Sequence, residues 1–136
     1  MPVKTYAAPS GSFNHFSAIA AGYSDRIGKV VRAAAFNINE RAQASFREPK
    51  TGRLYGAHRA SAPGQAPAIQ FGTLAASYRV IPIDHFHAAV ASSDEKAPYL
   101  EFGTRHMEPR PHLGPAAALE RDAFEGAVAA VLKTPR

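Results

Sequence analysis

The chain has 136 residues, of which 46% are hydrophobic and 20% charged, and sixteen basic against eleven acidic side chains give a net charge of +5. This length suits one domain with a modest core and excludes a barrel enzyme of about 250 residues. The absence of cysteine excludes disulfides, thiol catalysis and cysteine-ligated zinc or iron–sulfur sites. The first residues lack the order of a secretion signal, and no apolar run reaches ~18 residues. We therefore expect a cytoplasmic protein with no membrane partner.

The positive charge is concentrated in the first part of the chain. Residues 1–60 contain nine basic and three acidic side chains, whereas residues 61–136 contain seven and eight. A basic half is typical of proteins that meet a polyanion or an acidic partner. A solvated surface without a partner explains the excess equally well, because a net charge of +5 is moderate.

The pattern along the chain predicts a flexible lead-in over residues 1–16 and a single domain over residues 17–133. The lead-in has two prolines, a Ser-Gly-Ser and little periodicity. Beyond it, apolar residues recur at helical spacing. They are Ile27, Val31, Ala34, Ile38, Ala42 and Phe46, with Val30 and Ala35 widening the same face. The sequence thus predicts a long first helix that buries this face.

The ends of this first helix are marked by capping and breaking residues. Ser24 and Asp25 are favourable N-cap residues. An earlier start around residues 17–21, with a break at Gly22, is the alternative. The helix should end just before Pro49, because proline disfavours the helical conformation in the residue that precedes it.

An irregular, basic stretch follows at residues 49–73. It holds three prolines and four glycines, which argue against regular structure. Its cations include Lys50, Arg53 and Arg59, and Arg47 at the end of the helix adds to them. These four side chains are candidates for contacts with phosphates, which would carry no preference for base sequence. A solvated loop, or one that pairs with acids of a neighbouring subunit, is the alternative.

A β-hairpin is predicted after this loop. Apolar and polar residues alternate over residues 76–83 and again over 86–92, which is the pattern of half-buried strands. Asp84 and His85 between them form the turn.

The short aromatic segment after the hairpin has two interpretations. In the first, which we expect for the aromatic residues, Tyr99, Leu100 and Phe102 pack in the core. In the second, Glu101 and Thr104 fix a turn at Gly103, where a Cβ would strain the backbone.

A last helix is predicted from Pro115 to Leu132, since proline suits the first turn and alanines favour the helix. Its expected apolar stripe consists of Leu119, Ala123, Ala127, Ala130 and Val131. The resulting fold class is α+β. A long N-terminal helix and a C-terminal helix pack on a small antiparallel β-sheet, with the irregular basic loop between the first helix and the hairpin.

Histidines are the first residues to test for chemistry. His85 and His87 share a strand face if both lie in the strand, but a metal site needs a third ligand and Asp84 would point to the other face. The serines lack a nucleophile elbow, and the glycines form no phosphate-binding loop. We therefore predict no catalytic residue, no cofactor and no metal, and a protein that is not an enzyme.

The order of four motifs resembles a known family. The motifs are Ser61–Ala68, Phe71–Ser77, Ala97–Thr104 and Pro109–Ala116. Together they resemble the neck or tail-completion proteins of long-tailed bacteriophages, which have similar members in prophages and gene transfer agents.

The resemblance spans residues 20–132 and is most specific in its second half. The residues that carry it there are Tyr99, Glu101, Phe102, Gly103, Thr104, Pro111, Leu113 and Pro115. The chain departs from the family pattern at Gln70 and Phe71, where an acidic or polar residue and a threonine are commoner before the glycine.

The resemblance implies a structural virion protein and carries no catalytic residue. Such proteins form rings, commonly hexameric, at the head–tail junction around the DNA channel, after assembly in the host cytoplasm. The implied partners are further copies of the chain, the head-closure (stopper) protein, the tail terminator or tail tube protein, and packaged DNA contacted without sequence preference. The cations Arg47, Lys50, Arg53 and Arg59 would then face the channel or a partner. A tail terminator ring and a small basic nucleic-acid-binding module are the alternatives.

Overall fold

The computed structural model describes residues 10–69 and 72–133. Its elements are, in chain order, α1 (Ser10–Arg47), β1 (Leu54–Tyr55), β2 (His58–Arg59), α2 (Thr73–Ser77), β3 (Tyr78–Asp84), β4 (His87–Ser92), α3 (Ala97–Phe102) and α4 (Leu113–Lys133). The strands form two antiparallel pairs, β1 with β2 and β3 with β4. This architecture confirms the predicted α+β class. No helix in the two described ranges combines the length and the apolar character that a membrane span requires.

Helix α1 runs for 38 residues without interruption from Ser10. It therefore begins inside the segment predicted as a lead-in, of which residues 1–9 lie outside the described part. Ser24 and Asp25 do not cap the helix, because they lie inside it, and the Asp25 carboxylate pairs at 3.6 Å with the ammonium of Lys29 one turn later. Gly22 also lies within the helix, where it costs about 1 kcal/mol relative to alanine. The predicted break at this position is thus absent.

The segment after α1 has more order than the sequence indicates. The helix ends at Arg47, two residues before Pro49, as predicted. The prediction of an irregular segment is corrected in part, because Leu54–Tyr55 pairs with His58–Arg59 in a tight antiparallel turn. Gly56 provides the positive φ of 61° in this turn. Strands of two residues are too short to leave an alternating pattern.

The core lies where α1, the loop, β3 and α3 meet. The buried apolar residues of α1 fall on the predicted face and are Ala34, Ala35, Ala42 and Phe46. The central cluster consists of Phe46, Ala66, Tyr78 and Ala97. Since half of its members are alanines, this core buries little apolar area for a chain of this length.

The predicted hairpin is formed by β3 and β4, with Tyr78 opposite Ser92 at its open end. The predicted first strand begins two residues too early, because Thr73–Ser77 forms the short helix α2. Residues 70 and 71, where the chain departs from the family pattern, lie outside the described residues.

The turn of the hairpin rests directly on α1. A Cβ at Gly28 would lie 3.0 Å from the carbonyl oxygen of His85, so glycine allows this close approach. A register shift between Pro82 and Asp84 bends the strand as it enters the turn.

Helix α4 packs against α1, which also carries the hairpin. It begins at Leu113, two residues before the predicted start at Pro115. The predicted apolar stripe is wrong in its orientation. Leu119 is 66% exposed, whereas Ala116 and Glu120 are buried. Alanines and other apolar residues occur around the whole circumference of α4, so the periodicity does not identify the face that meets α1.

Candidate functional site

Glu101 closes the amino end of α4. Its Oε2 accepts the backbone N–H groups of His112 and Leu113 at 2.9 and 3.0 Å, and its Oε1 accepts that of Gly114 at 2.7 Å. The first N–H groups of a helix lack partners within it, and a carboxylate there complements the helix dipole. Burial raises the pKa of Glu101, but the three N–H donors and the nearby imidazole of His112 outweigh it and lower the pKa overall. Glu101 thus joins the segments 97–104 and 109–116 into one unit.

The turn after α3 depends on Gly103, as predicted. Its φ is 76°, and a Cβ there would lie 2.9 Å from both the carbonyl oxygen of Met107 and the Cδ of Pro109. Thr104 donates its backbone N–H to Met107 at 2.8 Å and accepts the N–H of Met107 at 3.2 Å. The Thr104 hydroxyl accepts the N–H of His106 at 3.2 Å. These contacts hold the chain in the path that brings it back to α4.

His112 connects this motif to the core. Its side chain is 1% exposed, and its ring centroid lies 5.2 Å from that of Phe46 and 5.3 Å from that of Tyr78. Nε2 is hydrogen-bonded to the Tyr78 hydroxyl, and Nδ1 lies 3.1 Å from both the Arg110 carbonyl oxygen and Glu101 Oε2. Burial, followed by nearby carboxylates, raises the pKa of Tyr78 to about 12. The phenol therefore stays protonated and donates to Nε2, while Nδ1–H donates to the two oxygens.

The two aromatic residues of the motif correct a prediction. Tyr99 is 57% exposed and Phe102 is 80% exposed, so neither packs in the core. Ala97 occupies the buried side of α3 instead. A helix of six residues can turn only one side towards the core. Glu101 shares this side with Ala97, because its carboxylate must reach the start of α4.

The remaining motif residues surround the start of α4. Leu113 is half-buried and packs against the central cluster. Pro111 and Pro115 line a cavity of about 360 Å³ between α1 and α4, and the exposed Leu119 also borders it. Their role here is to shape the junction between α4 and the loop.

Two of the four predicted basic candidates bind backbone carbonyls of their own chain. Lys50 Nζ donates to the Ser45 carbonyl at 2.7 Å near the end of α1, and Arg59 Nη1 donates to the Gly52 carbonyl at 2.9 Å. Burial lowers the pKa of Lys50. These contacts give both cations a role in holding the loop, which the sequence does not reveal.

The other two basic candidates lie on the surface. The Arg53 guanidinium stacks over the ring of Tyr55 at 5.1 Å from its centroid. Arg47 is exposed at the end of α1.

Gln65 and Gly52 stabilise the loop, and sequence reasoning missed both. Gln65 Oε1 accepts the N–H groups of Thr51 and Ala62 at 3.1 and 2.9 Å, and Nε2 donates to the Thr51 hydroxyl at 2.9 Å. A Cβ at Gly52 would lie 2.5 Å from two carbonyl oxygens. Gly52 is eight and nine residues away from these two carbonyls, and Gln65 is fourteen away from Thr51, so no local pattern in the sequence reveals the contacts.

The hairpin turn brings together Asp84 and His87, against the prediction that they lie on opposite faces. His87 Nδ1 lies 2.8 and 3.0 Å from the two oxygens of Asp84, because the two residues are paired directly across the hairpin. The hydrogen bond with His87 lowers the pKa of Asp84. Within the described ranges, no three histidines or acids lie close enough together to hold a metal ion.

Glu120 is, after Glu101, a second carboxylate that holds two elements together. The sequence analysis did not single it out. It is 5% exposed at the contact between α1 and α4. Its Oε1 accepts from Asn37 Nδ2 at 3.0 Å, and its Oε2 accepts from Arg41 Nε at 3.1 Å. Asn37 and Arg41 are four residues apart and therefore share one face of α1. This spacing is the sequence signal that could have indicated a common partner.

An apolar groove of about 610 Å³ lies over α1, between α4 and β4. Its apolar lining includes Val31, Ala34, Ile38, Phe86, Val90 and Phe124. Phe86 is 53% exposed at its edge. The arrangement has the form of a docking surface, with no cluster of nucleophiles or acids in its lining.

No protein-family model, no curated protein and no solved structure matches the chain. The motif junction, the loop cations and the apolar groove therefore provide the structural arguments for function.

Proposed function

We propose that the chain is a structural, non-catalytic subunit of a phage or phage-like particle that forms a ring at the head–tail junction. In this role it joins the head-closure protein to the tail around the DNA channel. The specific assignment rests on the motif order resembling neck or tail-completion proteins. The physical case rests on how the chain distributes its apolar side chains.

The observation that carries the proposal is the exposure of large apolar side chains beside a small core. The exposed ones include Phe36, Ile83, Phe86, Tyr99, Phe102, Leu119 and Leu132. The largest fully buried side chain among the described residues is that of a histidine, His112. Large exposed apolar surfaces on a soluble chain are typical of surfaces that other proteins cover.

The motif junction supports the assignment to this family of subunits. Three hydrogen bonds join Glu101 to the start of α4, so the most specific pair of motifs forms one physical unit. The same unit displays Tyr99 and Phe102 to the outside. A motif that stabilises a turn and exposes aromatic side chains suits a contact surface.

A light-scattering experiment tests the proposal. The chain is measured over a range of concentrations, alone and with the head-closure and tail tube proteins of the same particle. We expect a concentration-dependent equilibrium between monomers and rings, and rings that bind both partners. A strict monomer that binds neither and is absent from purified particles would contradict it. Rings that cap only the tail tube would assign the chain as a tail terminator.

DNA binding by the isolated chain separates the ring from the alternative of a nucleic-acid-binding module. Substituting Arg47→Gln and Arg53→Gln leaves the carbonyl contacts of Lys50 and Arg59 in place. A module would bind short duplexes at low salt as a monomer and lose affinity in this variant. We expect no measurable binding by the monomer and unchanged ring assembly in the variant.

A further inference from the structure

The first part of α1 extends beyond the rest of the fold. We define the arm as residues 10–22, which span about 20 Å of helix. Its described side chains, at residues 19–21, are exposed, and a Cβ at Gly22 would meet nothing within 4 Å. The first fully buried position of α1 among the described side chains is Gly28.

The pairing of α1 with α4 explains this exposure. Glu120 contacts Asn37 and Arg41, and further along α4 the side chain of Phe124 shares the groove with Val31, so the two helices run antiparallel. Helix α4 ends at Lys133, about 20 Å beyond Glu120. The same length, counted from Asn37 towards the amino end of α1, reaches the residues just after the arm. Helix α4 therefore ends beside those residues and does not cover the arm.

The composition of the arm is unusual for a helix in water. No aspartate, glutamate, lysine or arginine occurs from Ser10 to Ser24, and this stretch includes two glycines and four serines. Glycine and serine are poor helix formers, and a short helix is marginal in water without packing. Exposed helix surfaces are normally charged or polar. The arm therefore needs a partner surface to be stable as a helix.

The groove over α1 offers an apolar surface, and the arm has no Asp, Glu, Lys or Arg side chain that would oppose burial there. The polar side chains at its edge already have partners in the chain. Glu120 binds Asn37 and Arg41, Arg121 Nε lies 3.2 Å from Glu125 Oε1, and His87 binds Asp84. What remains for a partner is the apolar lining.

The arm of a chain cannot enter the groove of the same chain. The groove has α1 as its floor, and the arm is the uninterrupted continuation of α1. Folding back would require a break in this helix. A second copy of the chain, in contrast, can present its arm to the groove from outside.

We propose that the arm of one copy docks in the groove between α1, β4 and α4 of the next copy. This inference rests on the proposed ring function and names the surfaces that join its subunits. Each copy gives one arm and receives one, which is a heterologous contact that closes into a ring when the rotation allows.

A complementation experiment tests this assignment on the full-length chain. Ile19→Glu places a charge on the arm, and Phe86→Glu places one at the edge of the groove. We expect each variant alone to be monomeric, because one half of every contact is lost. An equimolar mixture should yield dimers of twice the subunit mass, since the intact groove of one variant accepts the intact arm of the other.

Phe36→Glu is the matched control, because Phe36 on α1 is 57% exposed, close to the 53% of Phe86, but does not line the groove. It should assemble as the unmodified chain does. Denaturation curves show whether each variant is folded. If the unmodified chain forms rings and Ile19→Glu also forms them, or if the mixture stays monomeric, the arm is not the contact, although the ring function stands. If the unmodified chain never assembles, with or without its partners, the ring function itself is wrong.

Discussion

The carboxylate of Glu101 accepts the backbone N–H of His112 at 2.9 Å and also lies 3.1 Å from the imidazole Nδ1 of the same residue. One side chain thus holds both the backbone that enters α4 and the ring that fills the core. This relationship joins the exposed turn at Gly103 to the buried cluster around Phe46. It makes Glu101 the residue on which the motif junction depends.

Replacing Glu101 by glutamine should destabilise the fold by about 2 kcal/mol at neutral pH, because three backbone donors lose a charged acceptor. Chemical denaturation followed by circular dichroism measures this loss. Glu108→Gln is the control, since Glu108 is an exposed acid of the neighbouring segment. A loss for Glu101→Gln no larger than that for Glu108→Gln would contradict the capping role.

The stabilising effect of Glu101 should depend on pH in a defined direction. Its pKa is lowered in the folded protein. The contribution is therefore complete above the pKa of an unfolded glutamate, about 4.3, and is lost as pH falls through the lower folded value. The stability difference between the unmodified chain and Glu101→Gln should be constant from pH 7 to pH 5 and shrink below pH 4. A difference that grows on acidification would show that another group dominates.

Two glycine-to-alanine substitutions should have opposite signs. Gly103→Ala should destabilise by about 3 kcal/mol, since it forces a side chain to a positive φ and into the Met107 carbonyl. Gly126→Ala should stabilise by about 1 kcal/mol, because Gly126 lies within α4 and its Cβ would meet nothing within 4 Å. Thermal unfolding of both variants decides the matter. Equal effects would mean that the turn adapts to a side chain.

Glu120, which is buried between the two long helices, should contribute more to the free energy of unfolding than the exposed Glu125 on the same helix. Glu120→Ala should cost about 2 kcal/mol, because Asn37 and Arg41 lose their acceptor at a buried position. Glu125→Ala should cost less than about 0.5 kcal/mol, since its pair with Arg121 is exposed. Urea unfolding of the two variants provides the comparison, and similar losses would argue against a buried clamp.

Tyr78 should titrate later than an ordinary tyrosine. Its pKa is raised to about 12, so the stability that depends on its protonated form is complete below pH 10 and is lost as pH rises through 12. Ultraviolet titration of the folded chain should show a late ionisation that is missing in Tyr78→Phe. Tyr55→Phe is the control, because Tyr55 is exposed and its removal should leave the late step unchanged. Simultaneous ionisation of all tyrosines near pH 10 would contradict the buried contact with His112.

The ring function and the docking of the arm remain predictions, and they draw on different parts of the chain. The motif order carries the first, whereas the length of α1 and the groove carry the second. The sequence could suggest the first because motifs are local. It could not suggest the second, because Ser24 and Asp25 are favourable N-cap residues. They led to a predicted helix start that lies after the arm.

Local patterns in the sequence were enough to predict the α+β class, the buried face of α1, its end before Pro49, the hairpin and the positive φ at Gly103. Each depends on the preferences of residues within a few positions of one another. Only the tertiary structure decided which side of α4 is buried, that Tyr99 and Phe102 face outward, and that Lys50 and Arg59 bind backbone carbonyls. The first two of these outcomes depend on partners distant in sequence, such as Asn37 for Glu120 and Gly114 for Glu101. Burial of a polar group is decided by the donors that the fold brings to it, and no local pattern encodes them.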